Sequence, residues 1–297
     1  KEMGIEAFKT KVIEEWQRIK DGPQTLTEKE IERCKSFFIE PSYTATQDNP
    51  DTLTEALQKE PLFLNWYRRN VKQHKRPGYA IATIVLKETG TAPGDVTDAQ
   101  LEHIADLSDE YSFGEARVSH RQNVVLADVT QEKLYALWQQ LRNQSLASEN
   151  LELLTDMICC PGGDFCALAN AKSIPIAESI QREFSNHDQL LDIGEITINI
   201  SGCMNACGHH HVGNIGILGV DKKGEEFYQI SLGGSSKNEA SLAKVLGPAF
   251  AEEEIPFVIR KIIAVYKDNR IDGEKFLGTY QRIGLEPFKD KIYAKAD

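Results

Sequence analysis

Hydrophobic positions along the first part of the chain recur at helical spacing, with Ile5, Phe8, Val12, Ile13 and Trp16 on one face. The helical pattern continues to about residue 70, broken by a turn at Asp21-Gly22-Pro23 and by a polar, proline-containing connector over 40–51. Lys75-Arg76-Pro77-Gly78 then interrupts it. Beyond that break, Tyr79 to Leu86 (YAIATIVL) is rich in β-branched residues and predicts a strand. A loop follows over 89–94. Leu101, Ile104 and Leu107 give 98–111 a helical period, and 115–128 holds two short strands, the second being Val124 to Ala127. Lys133, Leu134, Leu137, Trp138 and Leu141 predict a helix over 130–141, with Thr130 as its N-cap.

After the polar stretch at 143–150 the pattern changes character. A helix is expected over 167–182 and an alternating strand over 195–200 (EITINI). Strands at 213–220 and 226–232 flank the turn Asp221-Lys222-Lys223-Gly224, and 239–293 reads as helices covering the sheet. Three domains result: a helical lead-in over 1–70, a β-α-β-β-α segment over 71–145, and a third domain over 146–297. The middle order is that of half a ferredoxin-like unit, so the fold class is α+β, with a mixed α/β domain and covering helices after it.

Composition narrows the function. Apolar residues make up 41% and charged residues 27% of the 297 positions, as in a folded globular protein. The net charge of −11 carries no basic stripe, which speaks against nucleic acid as a partner. No apolar run approaches the ~20 residues that span a bilayer, and no signal peptide opens the chain, so no membrane partner and a cytoplasmic location are expected. The chain opens at Lys1 inside a helical pattern and therefore reads as a fragment.

The chemistry lies in the cysteines. Five of the six, Cys159, Cys160, Cys166, Cys203 and Cys207, fall in two short segments, while Cys34 stands alone and reads as a packing thiol. With no export signal, clustered cysteines point to metal or redox chemistry and away from disulfides. Cys160-Pro-Gly-Gly-Asp-Phe-Cys166 and Cys203-Met-Asn-Ala-Cys207 are both flanked by glycine. Four thiolates saturate a cubane iron–sulfur cluster. Five intervening residues let the first segment loop around a cluster edge. Three place the second pair one helical turn apart. Glycines beside them bring the backbone close and leave N–H groups for cluster sulfurs. A zinc site is the plain alternative, but its paired cysteines usually stand two to four residues apart. Cys159 neighbours Cys160 and reads as packing, because adjacent side chains in an extended segment point opposite ways. His209, His210 and His211 read as surface or cofactor-edge residues titrating near neutrality.

The contexts CPGGDFCALANAKS and ISGCMNACGHHHVGNIGILG resemble the cluster-and-sirohaem signature of the sulfite and nitrite reductase family, closest to its bacterial assimilatory members. The resemblance runs most strongly from Pro77 to Gly234. It implies that Cys160, Cys166, Cys203 and Cys207 hold a [4Fe–4S] cluster and that Cys207 also bridges to the sirohaem iron. EARVSHRQNVVLADV resembles the second of the family's two related parts. It makes Arg117, His120, Arg121, Gln122 and Asn123 candidates for the sirohaem carboxylates, against an ordinary polar strand surface as the alternative. Asn205 and the Ser231–Gly234 stretch, through Gly233 and Gly234, join that cofactor-binding set. The implied activity is the six-electron reduction of sulfite to sulfide, with nitrite to ammonia or a non-catalytic [4Fe–4S] electron-transfer module as alternatives. A ferredoxin or flavoprotein would donate electrons. The resemblance also implies a missing amino-terminal half, without which the isolated fragment would be inactive and could lack sirohaem.

Overall fold

The computed structural model describes residues 3–294. It divides into two units, Lys1–Thr44 and Ala45–Asp297. The first holds α1 (Ile5–Ile19) and α2 (Glu28–Lys35). Thr27 starts α2 by accepting the Glu30 N–H on its side-chain oxygen. The expected apolar face of α1 forms, with Ile5, Phe8 and Trp16 all exposed.

The second unit begins earlier than the 70/71 break in pattern. Its first helices, α3 (Asp51–Lys59) and α4 (Pro61–Asn70), bury Leu53, Phe63 and Trp66 in the core of a four-stranded sheet. That sheet contains β1 (Val71–Gln73), β2 (Tyr79–Ile84), β3 (Arg117–Val118) and β4 (Val124–Thr130) in the antiparallel order β1-β2-β4-β3. Between β2 and β3 lies α5 (Asp98–Tyr111), opened by a capping box in which Thr97 and Gln100 bond each other's backbone N–H. Thr130 does not cap the next helix. It stays in the sheet opposite Tyr79, a 3₁₀ turn follows over Gln131–Lys133, and α6 runs Leu134–Asn143. Leu134, Leu137 and Leu141 of α6 join Ile104, Leu107 and Leu126 in the same core.

The remaining elements are β5 (Ile158–Cys159), α7 (Ile174–Glu183), α8 (His187–Ile193), β6 (Ile198–Ser201), β7 (Ile215–Lys222), β8 (Glu225–Leu232), β9 (Lys244–Val245), α9 (Ile255–Asn269), α10 (Phe276–Ile283) and α11 (Glu286–Tyr293). The five strands pair in sequence order; β5, β6 and β7 are parallel, and β8 and β9 antiparallel. The β7–β8 hairpin turns on Lys223 and Gly224, both at positive φ, which suits the twist of the flanking strands. Two expectations fail locally. The helix expected from 167 starts at Ile174, because Asn170 and Ala171 spend their N–H groups on the Gly202 carbonyl and Pro175 favours a first turn. Residues 244–245 form a strand rather than part of a helix.

Alternation in β6 (INIS) decides what each face does. Ile198 and Ile200 join Ile215, Ile217 and Ile230 against α7 and α9. Asn199 and Ser201 face the other way, alongside Gly216 and Ser231. No helix among the described residues is long and apolar enough to cross a membrane.

Candidate metal centre

Cys160 follows β5 and Cys203 follows β6, so both cysteine loops leave the carboxyl ends of adjacent parallel strands. Backbone there is released from the sheet and free to surround a ligand. The Cys160 N–H donates to the Ile200 carbonyl at 3.1 Å. Missing side chains let the loops touch: a Cβ on Gly202 would stand 2.8 Å from the Gly162 Cα and 2.6 Å from the Ala171 oxygen. Asn170 and Ala171 donate to the Gly202 carbonyl at 2.8 and 3.1 Å. The Gly202 N–H in turn donates to Cys160 Sγ at 3.1 Å, and Ser173 Oγ lies 3.6 Å from the same sulfur.

The second loop lies on the small, polar face of the sheet. Asn199 Nδ2 donates to the Gly208 carbonyl at 2.8 Å, and the Gly208 N–H donates to Ser201 Oγ at 3.2 Å. A Cβ at Gly208 would fall 1.9 Å from the Ile200 oxygen. Cys203 and Cys207 do not ride on a helix as expected: Ala206 sits at φ 57, and the segment is a chain of turns. Cys203 is buried, Cys160 and Cys166 are half-buried, and Cys207 is exposed; all four thiols are free.

An iron–sulfur cubane suits this donor set. Its four thiolates bind different iron corners, as two contacting loops can provide, and the Gly202 N–H shows the backbone-to-sulfur contact such clusters use. Among the described residues no three His, Cys, Asp or Glu side chains converge on one point, so the four cysteines share two contacting loops without being drawn together as one ligand set. Cys159 turns into the hydrophobic core, where burial pushes its thiol well above the ordinary range. Around the cysteines the loops expose Phe165, Leu168 and Met204.

The other candidates separate. Arg117 is exposed on β3, paired with Glu115 and 4.0 Å from Asp128, and His120 is exposed. Arg121 donates to Asp156 at 3.0 Å. Gln122 exchanges two hydrogen bonds with the Cys159 backbone, at 2.7 and 2.9 Å. Asn123 is buried, accepting from the Leu86 N–H and Lys87 Nζ and donating to Asp156. Asn205 is exposed beside the cysteines. Gly233 and Gly234 pack without room for a Cβ, against Tyr280 and against the 211–213 backbone. His210 is buried and held down to about 4 by desolvation, so it is neutral at pH 7, while His209 and His211 are exposed.

Sequence reading missed Lys87, whose side chain is fully buried. Its ammonium donates to the carbonyls of Arg121 and Gln122 and to Asn123 Oδ1, at 2.9, 2.7 and 2.9 Å, and lies 3.9 Å from Asp156. A lone lysine ending an apolar strand gives no warning of this. At the opposite, amino-terminal end of the strands, Arg121, Thr197, Asn214 and Lys237 line a cavity of about 150 Å³, away from Asn205 and Cys207.

Residues 74–144 match the model of the nitrite/sulfite reductase ferredoxin-like half domain, and 152–297 that of the nitrite and sulphite reductase 4Fe-4S domain. The assimilatory ferredoxin-dependent nitrite reductase of Haloferax mediterranei is 27% identical over 62% of this chain and 32% of its own length. The assimilatory-type sulfite reductase of Nitratidesulfovibrio vulgaris is 25% identical over 68% of this chain and 89% of its own. Among solved structures, the Mycobacterium tuberculosis NirA protein shares the fold with a TM-score of 0.61 and 23% identity, covering 74% of this chain and 41% of that one.

Proposed function

We propose, for a chain that belongs to the nitrite and sulphite reductase family, that it is the cofactor-bearing carboxy-terminal part of an enzyme reducing sulfite to sulfide. The observation that carries this is the meeting of two glycine-packed cysteine loops at the ends of β5 and β6. Cys160, Cys166 and Cys203 would hold the family's [4Fe–4S] cluster. Cys207, the exposed member, would also reach the sirohaem iron. Bound there, the cluster and sirohaem would supply coupled electron storage and delivery to the substrate.

The chain's own residues supply holding and shielding. Gly202 donates to the Cys160 sulfur, Asn199 and Ser201 anchor the loop that carries Cys207, and Phe165, Leu168 and Met204 offer apolar surface to a macrocycle. Exposure supports Arg117, His120 and Asn205 as partners for sirohaem carboxylates; the polar groups of Gln122 and Asn123 are engaged inside the chain. The ferredoxin-dependent relative supports ferredoxin as electron donor and keeps nitrite as the second substrate reading.

The test is iron content and a haem-type visible spectrum on anaerobically reconstituted enzyme, followed by kcat/KM for sulfite against nitrite. Cys207→Ser should lower activity by at least about a hundredfold and remove cluster–haem coupling from the spectrum. Retained coupling would sink the bridging assignment. Iron without any haem spectrum, even when the chain is supplemented to the length of its longer relatives, would favour the electron-transfer module.

A further inference from the structure

We infer that Gln122 is a positioning residue for the first cysteine loop: its side-chain amide, reaching from the ferredoxin-like half-domain, fixes the peptide unit from which Cys160 springs. The inference rests on the reading of Cys160 as a cluster ligand.

The strand before Cys160 is only two residues long and lies at the edge of its sheet, with β6 on one side and, among the described residues, no strand on the other. Such an edge leaves N–H and C=O groups unpaired. Gln122 supplies what a neighbouring strand would. Its Nε2 donates to the Cys159 carbonyl at 2.7 Å, and its Oε1 accepts the Cys159 N–H at 2.9 Å. The two bonds also fix the amide's orientation, since reversing it would set donor against donor and acceptor against acceptor.

The carbonyl of Cys159 and the N–H of Cys160 belong to one planar peptide group. Gln122 holds that plane from one edge, and the Ile200 carbonyl, accepting the Cys160 N–H, holds it from the other. Rotation about the plane is thereby blocked, which sets the direction in which Cys160 leaves the strand. Its sulfur then meets the Gly202 N–H of the second loop.

Gln122 is itself held in an unfavourable backbone state, at φ 58, where a side chain other than glycine is disfavoured. What stabilises it is buried. The Lys87 ammonium bonds the carbonyls on both sides of the bend, those of Arg121 and Gln122, and the Gln122 N–H donates to the Ser119 carbonyl at 3.1 Å. Gly94 lacks the side chain that would crowd Gln122, whose Cβ would lie 3.0 Å from a Cβ built there. A bent backbone fixed by a buried cation thus aims one amide at one peptide of the other domain.

The experiment compares wild-type enzyme, Gln122→Met, Gln122→Glu and, as control, Gln181→Leu. The control removes another amide link between the same domains, the Gly90 N–H to Gln181 Oε1 bond at 3.2 Å, which touches no cysteine. In cluster-free protein, Gln122→Met should exchange the Cys159 amide hydrogen about tenfold faster or more, whereas Gln122→Glu, which keeps the acceptor, should protect it. With the cluster loaded, both Gln122 variants should shift its reduction potential and alter the spectrum of the reduced cluster, and Gln181→Leu should do neither. Gln122→Glu, nearly isosteric, serves if Gln122→Met fails to fold. Wild-type protein that takes up no cluster overturns the parent reading and this inference with it. A loaded wild type with Gln122 variants of unchanged potential and spectrum, or a control that moves as far as they do, overturns this inference alone.

Discussion

The two cysteine loops leave neighbouring strands of one sheet, yet they are held by different means. The second rests on its own sheet, with Gly208 pressed against the Ile200 carbonyl and bonded through Asn199 and Ser201. The first is held in part from another domain, through Gln122 and the buried Lys87 beneath it. One half of the site is therefore a property of strand sequence and glycine spacing, and the other of domain packing. The second half should fail sterically and the first electrostatically.

The largest effect should come from Gly208→Ala. A methyl 1.9 Å from the oxygen of Ile200, a backbone atom of a central strand, cannot be accommodated by a side-chain rotation. Either β6 or the loop must move, and the loss should reach about 4 kcal/mol or more, at the top of the range for single substitutions. Denaturant unfolding with near-ultraviolet circular dichroism measures it. A variant of near wild-type stability would show that the loop is not seated on the sheet as described.

Lys87→Met attacks the other loop's support and should cost about 3 kcal/mol at neutral pH. It strands two carbonyls and removes one of the two donors to Asn123 Oδ1, which keeps the Leu86 N–H, while Asp156 keeps Arg121. Its sharper signature is in pH. Burial pushes Lys87 down to about 8 from its ordinary 10.5. Below about 8 both folded and unfolded chains carry the proton, and the folded state bears the whole desolvation penalty. Between about 8 and about 10.5 the unfolded chain binds more protons, so this group's contribution to stability rises with pH. The stability gap between wild type and Lys87→Met should therefore widen over that window, and the gap for Gly208→Ala should show no such trend. A gap that narrows there would remove Lys87 from its assigned environment.

The contrast also explains what the sequence could disclose. Alternation in INIS, the Lys223-Gly224 hairpin and glycines beside each cysteine are local signals, and they announce β6, the β7–β8 turn and the second loop's seat. The signal for α5 is equally local, because Thr97 and Gln100 cap it within four residues. The first loop's support is not local. Lys87 and Gln122 lie far along the chain from Cys159, and the bend that turns Gln122 inward depends on a buried ammonium. RVSHRQN offers a run of polar candidates without saying which of them face the site, and the fold exposes Arg117 and His120 and turns Asn123 inward. The start of α7 was hidden for the same reason, since residues 170–171 bond to Gly202 across the site.

The smallest effect isolates the sulfur itself. Ser173 Oγ, 3.6 Å from Cys160 Sγ, joins the Gly202 N–H at that atom. With the sulfur as thiolate, the hydroxyl must be the donor, because the thiolate has no proton to give. Ser173→Ala removes it with little change in volume, for about 1 kcal/mol or less in stability. Donors to a ligand sulfur stabilise the more negative, reduced cluster, so losing one should lower the reduction potential while the melting temperature hardly moves. The shift should be smaller than that of Gln122→Met, which frees the whole peptide and not one contact. An unchanged or raised potential in Ser173→Ala, with the cluster fully loaded, would mean that the hydroxyl does not donate to Cys160 and that the domain-borne amide acts on this loop without it.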